Sequence, residues 1–130
     1  LGAALCNLDL CARYANEREQ FGRPIRAFQA VQHRIADIKI FIEACRLAIY
    51  RVASAKDRGQ MLNPLSAAVS KVYAGDRGFE MASEAVQIFG GYGFMHEYPV
   101  ERNFRDAKLA AIGGGTSDIM RMIVSRIMLM

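Results

Sequence analysis

The segment Ile112-Gly113-Gly114-Gly115-Thr116-Ser117-Asp118-Ile119-Met120-Arg121 holds the densest chemistry in the chain. Three glycines run into a Thr-Ser pair and an amphipathic pattern follows. Such a junction lets backbone approach a ligand and leaves N–H groups without partners at a helix start, where an anion can sit. No lysine follows the glycines, so the run is not a Walker-type phosphate loop. Gly113, Gly114 and Gly115 carry no side chain that can donate or accept a proton. By itself the run fits a plain loop or a ligand site. A second glycine turn, Gly90-Gly91-Tyr92-Gly93, has no strand before it. His96 stands where a dinucleotide fingerprint would need glycine. Taken alone, that turn reads as a helix C-cap.

Arginines 18, 23, 26 and 34 cluster, but Glu17, Glu19 and Asp37 interleave with them, and the net charge of the 130 residues is only +4. A nucleic-acid surface carries a longer unbroken basic stripe, so the charge fits a phosphorylated small molecule better. Cys6, Cys11 and Cys45 are an odd number, with no C-x-x-C pair. His33 and His96 are the only histidines. Zinc-ligand spacing is therefore absent, and three reduced, buried thiols are expected. No apolar run reaches the ~18–20 residues of a membrane span. The chain opens inside an amphipathic pattern, with no initiator Met, charged leader or cleavage site. It reads as one domain cut from something longer.

These turns must be held by helices. Leu1, Ala4, Leu5, Leu8, Ala12 and Ala15 recur at helical spacing, and Phe21-Gly22-Arg23-Pro24 ends that helix. Phe28, Val31, Ile35, Ile38, Ile42, Cys45, Ile49 and Val52 alternate at three and four residues. They form a packing seam roughly 37 Å long at 1.5 Å per residue. Asn63-Pro64 reads as an N-cap followed by an N1 proline. Leu65, Ala68, Val72, Gly75, Phe79, Ala82, Val86 and Phe89 repeat the seam, with small residues for close helix approach. Residues 102–109 suggest a short helical segment. The last helix starts at Thr116 or Ser117, with Ile119, Ile123, Ile127 and Met130 as its expected buried side. No convincing strand appears. The expected fold is all-α, an up-and-down bundle of four main helices spanning residues 1–130.

Four segments together are more specific than either glycine turn. They are Arg18-Glu19-Gln20-Phe21-Gly22-Arg23-Pro24-Ile25 with Phe28-Gln29; Ala85 through Phe94; Glu97-Tyr98-Pro99-Val100-Glu101-Arg102 with Arg105-Asp106-Ala107-Lys108; and Ile112 through Arg121. In this order and spacing they resemble the C-terminal helical domain of flavin-dependent acyl-CoA dehydrogenases, and the likeness covers nearly the whole chain. The resemblance implies a longer enzyme, with an N-terminal helical domain and a middle β-domain, and FAD held between the middle domain and this bundle, partly against a neighbouring subunit. Arg18, Gln20 and Phe21 match positions on the FAD pyrophosphate and adenine side. Gln29, Gln87, Gly90 and Gly91 match adenosine-side contacts. Thr116 and Asp118 match residues that hold FAD at the start of the last helix. Gln87 also fits a plain helix polar residue, and Phe21 also fits a staple against the second helix.

The family's reaction removes the proton α to the thioester and passes a hydride from the β-carbon to flavin. The glutamate that takes the proton in many members falls at Gly114 here. That departure resembles the isovaleryl-CoA and long-chain subgroup, whose base lies on the first helix of this domain. Its aligned position precedes Leu1. Gly113 and Gly114 then leave space at the end of an acyl pocket. Glu43, Glu80, Glu84, Glu97, Glu101 and Asp106 align with neither base position, and Asp106 is expected to pair with Arg105. The resemblance implies an acyl-CoA substrate, an electron-transfer flavoprotein as acceptor, and a bacterial cytoplasmic or mitochondrial matrix location. Apolar surface left bare by the bundle predicts a homodimer or homotetramer. Two rival readings remain: a catalytically idle relative serving as a helical assembly module, and an oxygen-using relative such as an acyl-CoA oxidase or flavin monooxygenase.

Overall fold

The computed structural model describes residues 1–61 and 63–130. Helix α1 (Gly2–Glu17) leads into two short strands, β1 (Glu19–Gln20) and β2 (Arg23–Pro24), and a 3-10 turn over Ile25–Ala27. Then follow α2 (Gln29–Asp57), α3 (Pro64–Phe89), a second 3-10 turn over Gly90–Phe94, α4 (Pro99–Ile112) and α5 (Ser117–Met128). Helix α3 is the hub, since α1, α2, α4 and α5 all pack on it. Its start is set as expected: Asn63 Oδ1 accepts from the Leu65 N–H at 2.9 Å, and Pro64 occupies the first turn.

The core holds Cys11, Ile38, Phe41, Ile42, Cys45, Met81, Ala85, Ile88, Phe89 and Val100. Helices α2 and α3 supply most of it, because a 3-4 spacing puts apolar residues on one face: Ile38, Ile42 and Cys45 of the expected α2 seam are there, but α3 contributes Met81, Ala85 and Ile88 with Phe89 rather than its expected seam. Arg34 of α2 and Glu84 of α3 form an ion pair at the edge of that seam. Asn7, buried in α1, accepts from Asn103 Nδ2 of α4 at 2.7 Å. Phe79 and Phe104 stack at 5.0 Å between α3 and α4.

Several expectations change. The helical bundle is as expected, but the short segment at 102–109 is longer than expected, part of the 14-residue α4. A hairpin exists where no strand was expected, with Gln20 paired to Arg23 across a two-residue turn. Ile119, Ile127 and Met130 are exposed, so the expected buried side of α5 is largely open, and Ser117 is the residue that α5 buries. Cys6 is exposed while Cys11 and Cys45 are buried. Arg105 pairs with Glu101 one turn earlier rather than with Asp106.

Candidate functional site

Two polar clusters emerge, at the two ends of the expected site. The first surrounds a groove of about 970 Å³ at the C-terminal ends of α1 and α3. Arg18, Gln20, Gly90 and Gly91 line it, with Tyr14, Phe89, Tyr92, Glu97 and Tyr98. Helix α1 stops at Arg18 because the backbone turns extended there; the Arg18 carbonyl accepts from the Ile25 N–H at 2.8 Å, which closes the hairpin loop. The Arg18 guanidinium lies 5.3 Å from the Tyr92 ring centroid, a cation–π arrangement. Tyr14 stacks on Phe89 at 4.1 Å, and Tyr98 meets both Phe89 and Tyr92. The groove therefore sets a cation over an aromatic floor. Burial raises the Tyr14 phenol above its ordinary pKa, and its hydroxyl donates to the Phe89 carbonyl at 3.4 Å.

The glycines of the 90–93 turn do different work. Gly90 ends α3 at φ +60°, and a Cβ at Gly90 or Gly91 would meet no protein atom within 4 Å. That edge of the groove is open to a ligand. Gly93 is the tight one, since a Cβ there would come within 2.5 Å of the Val86 carbonyl oxygen.

Phe21 and Gly22 both have positive φ in the hairpin turn, +53° and +74°. This is the backbone twist a two-residue hairpin prefers, but a bulky residue in the left-handed region is strained. Phe21 remains 92% exposed and meets Phe28 edge-on at 6.0 Å. It is thus a weak staple and a well-presented aromatic. Gln29 and Gln87 are exposed and lie outside the groove lining.

The second cluster sits where α5 meets α3. Gly114 and Gly115 have φ +68° and +101°, so the chain reverses there on glycine alone. A Cβ at Gly114 would meet open space, whereas one at Gly115 would strike the Met120 Cε. Thr116 caps α5, its Oγ1 accepting from the Ile119 N–H at 3.3 Å. Asp118 is nearly fully exposed and 3.6 Å from Arg121. Asp76 of α3 accepts from the Ser117 hydroxyl at 2.6 Å and from Arg121. Asp76 lies fourteen positions before Gly90 on one helix, so the clusters are roughly 21 Å apart along its axis.

Residues 1–129 match the family model described as acyl-CoA dehydrogenase, C-terminal domain. The chain belongs to that family. It is 42% identical over 129 residues to the probable acyl-CoA dehydrogenase FadE25 of Mycobacterium tuberculosis, covering 99% of this chain and 33% of the relative. The structure of butyryl-CoA dehydrogenase from Megasphaera elsdenii superposes with a TM-score of 0.94 at 40% identity, over 99% of this chain and 33% of that one. A structure described as the FAD complex of PigA matches with a TM-score of 0.91 at 33% identity, over 98% of this chain and 33% of that one. The chain thus spans about a third of the length of the relatives it matches.

Within this acyl-CoA dehydrogenase domain most of the candidate carboxylates are engaged. Glu43 pairs with Lys39, Glu80 with Arg77, Glu84 with Arg34, and Glu101 with Arg105 and His96. A hydrogen bond from Lys39 holds the Glu43 carboxyl below its ordinary range, and Arg105 does the same for Glu101. Such acids are poor proton acceptors. Glu97 is the carboxylate that lines the groove. Tyr14, Tyr92, Tyr98 and Asp76 were not singled out from sequence. Their only signal was position: Tyr92 and Tyr98 flank the second glycine turn, and Asp76 interrupts the α3 seam beside Gly75.

Among the described residues, no helix is long and apolar enough to cross a membrane.

Proposed function

We propose that the chain is the C-terminal helical domain of an FAD-dependent acyl-CoA dehydrogenase, an enzyme that forms the α,β double bond of acyl-CoA thioesters. The convergence of Arg18, Gln20, Gly90 and Gly91 on one aromatic-floored groove, in a chain of this family, carries the reading. FAD supplies the hydride acceptor when bound. The chain's own residues bind and orient it. Arg18 offers a guanidinium to the diphosphate. Gln20, Phe21, Gln29 and Gln87 contact the diphosphate and adenosine portion, and Gly90 and Gly91 let backbone approach it. Thr116 and Asp118 hold the cofactor at the N-terminus of α5, where the helix dipole favours an anion.

Gly114, where a Cβ would meet open space, leaves room at the end of the acyl pocket, which suits branched or bulky acyl groups; a Cβ at Gly113 would instead lie 3.3 Å from the Leu109 carbonyl oxygen. The proton acceptor is a glutamate upstream of Leu1, and the isolated 130 residues are inactive. Electrons pass to an electron-transfer flavoprotein. The assembly is a homodimer or homotetramer, for which exposed Ile40, Leu47, Tyr50, Ile119 and Leu129 supply apolar surface.

The test is bleaching of flavin in the full-length protein by a panel of acyl-CoA thioesters under anaerobic conditions. No bleaching by any thioester refutes the dehydrogenase reading and favours an idle relative. Oxygen uptake in step with turnover identifies an oxidase instead. Replacing the upstream glutamate by glutamine is expected to abolish bleaching, while Glu97→Gln leaves it in place; the reverse result moves the base into this chain.

A further inference from the structure

We propose that Asp76 is a positioning residue for the Thr116–Asp118 turn: it clamps Ser117 and Arg121 to α3 and thereby fixes the first turns of α5 toward the flavin. The inference rests on the reading of that turn as a flavin contact. It starts from a mechanical weakness. Gly113, Gly114 and Gly115 carry no side chain that locks the turn, and two of them have positive φ. Helix α5 is only 12 residues long, and Ile119, Met122, Ile127 and Met128 on it are exposed. Met120, Ile123 and Val124 are half-buried, so apolar packing is confined to one side of α5 and leaves the helix start to be fixed by polar contacts.

A polar clamp takes that role. Ser117 is the first residue of α5 and Arg121 lies one turn later on the same face. The two oxygens of one carboxylate take one each: Asp76 Oδ1 accepts from Ser117 Oγ, and Oδ2 from Arg121 Nη2. Ser117 Oγ also lies 3.4 Å from the Ala111 carbonyl oxygen, so it touches the last turn of α4 as well. Asp76 itself cannot drift, because its neighbour Gly75 abuts the α4 backbone and α3 is the hub of the bundle. An exposed ion pair would hold little. Here the carboxylate is 27% exposed and the serine is buried, so a hydroxyl bond and a charged bond act on one site. The Ser117 hydroxyl, and then Arg121, hold the Asp76 carboxyl below its ordinary pKa, so it is ionised at neutral pH. Thr116 uses its own hydroxyl to cap the helix, and the direction of its N–H groups follows the clamp.

The experiment titrates full-length apoprotein with FAD, follows flavin fluorescence quenching, and records the thermal midpoint beside it. Asp76→Ala is expected to weaken FAD about tenfold, the loss of a charge-assisted pair. Asp76→Asn keeps an acceptor for Ser117 and loses less. Ser117→Ala loses about threefold, and the Asp76→Ala/Ser117→Ala double variant loses no more than Asp76→Ala alone. Glu80→Gln, on the same helix, binds as wild type. Wild-type FAD affinity in Asp76→Ala overturns the proposal, whatever its thermal midpoint. So do losses that multiply in the double variant. Should Asp76→Ala fail to fold, wild-type affinity in Ser117→Ala overturns it. Thr116→Ala separates the two claims. If it weakens FAD while Asp76→Ala does not, the flavin reading stands and the clamp falls. If it is silent while Asp76→Ala is weak, the Thr116 side-chain contact falls and the clamp on the helix backbone stands.

Discussion

Two glycines three residues apart on α3 make opposite predictions for the same substitution. In a helix interior, replacing glycine by alanine gains about 0.5–1 kcal/mol, because alanine loses less backbone entropy on folding. At Gly78 a Cβ would lie 3.5 Å from the Phe41 ring, an ordinary contact. Gly78→Ala is therefore expected to stabilise by about 0.5–1 kcal/mol. At Gly75 a Cβ would lie 2.9 Å from the Ala110 carbonyl oxygen and 3.2 Å from both the Ala110 carbonyl carbon and the Ala111 Cα. All three are α4 backbone, so no side chain can rotate away. Helix α4 must move, and the Lys71 ammonium that donates to the same carbonyl must follow. Overpacking of this kind costs about 1–3 kcal/mol, which exceeds the propensity gain. Gly75→Ala is expected to be destabilised by about 0.5–2 kcal/mol, a gap of about 1–3 kcal/mol between the two variants. Urea unfolding followed at 222 nm reads it directly. Ala110 and Ala111 lead straight into Gly113–Gly115, so Gly75→Ala should also weaken FAD while Gly78→Ala should not. A Gly75→Ala variant as stable as Gly78→Ala refutes the close approach of α3 and α4.

Ellman's reagent is expected to react quickly with one thiol of three in the native domain, Cys6, and with all three only in denaturant. Burial pushes the Cys11 thiol up to about 12 and raises Cys45 as well, so two fast thiols would contradict the core. Asp76 predicts a pH effect of definite sign. Its folded pKa lies below the unfolded value, about 3.9, so its stabilisation is present above that value and is lost as pH falls through the folded one. Acid unfolding of Asp76→Asn should depend less on pH below about 4 than wild type, and equal dependence would sink the argument. Arg18→Ala, which empties the position over Tyr92, should weaken FAD about tenfold with little change in thermal midpoint. A large loss of stability with unchanged FAD affinity would make Arg18 structural.

Legibility in the sequence followed the length and purity of each pattern. The α2 seam runs over many turns with no competing signal and places Ile38, Ile42 and Cys45 in the core, whereas α3 turns Met81, Ala85 and Ile88 inward beside Phe89, a face next to the expected seam. Helix α4 carries a weaker pattern. It buries Val100 and otherwise docks through Asn103, Phe104 and its own backbone against Gly75, none of which hydrophobic spacing records. The hairpin carries no sequence signal because its turn holds Phe21 where asparagine or aspartate is usual. Strain there makes sense only if Phe21 is wanted on the outside.

Helix α5 departs from its expected burial for a related reason. Its apolar residues do form a stripe, but a stripe reports that a face is covered, not by what. In this chain α3 meets α5 through Asp76, Ser117 and Arg121 together with the half-buried Val124, and the stripe of Ile119 and Ile127 is left open. The groove was invisible in another way. Tyr14 and Phe89 stack although 75 positions separate them, and Tyr98 closes on both Phe89 and Tyr92 only once α3 has stopped at Gly90. The glycine turn that read by itself as a plain helix cap is indeed a cap. By stopping α3 there, it brings Tyr92 and Tyr98 beside Phe89 and sets the Tyr92 ring beneath Arg18. One glycine, at positive φ and with open space beyond its missing Cβ, both ends the helix and opens the floor on which the cofactor is proposed to lie.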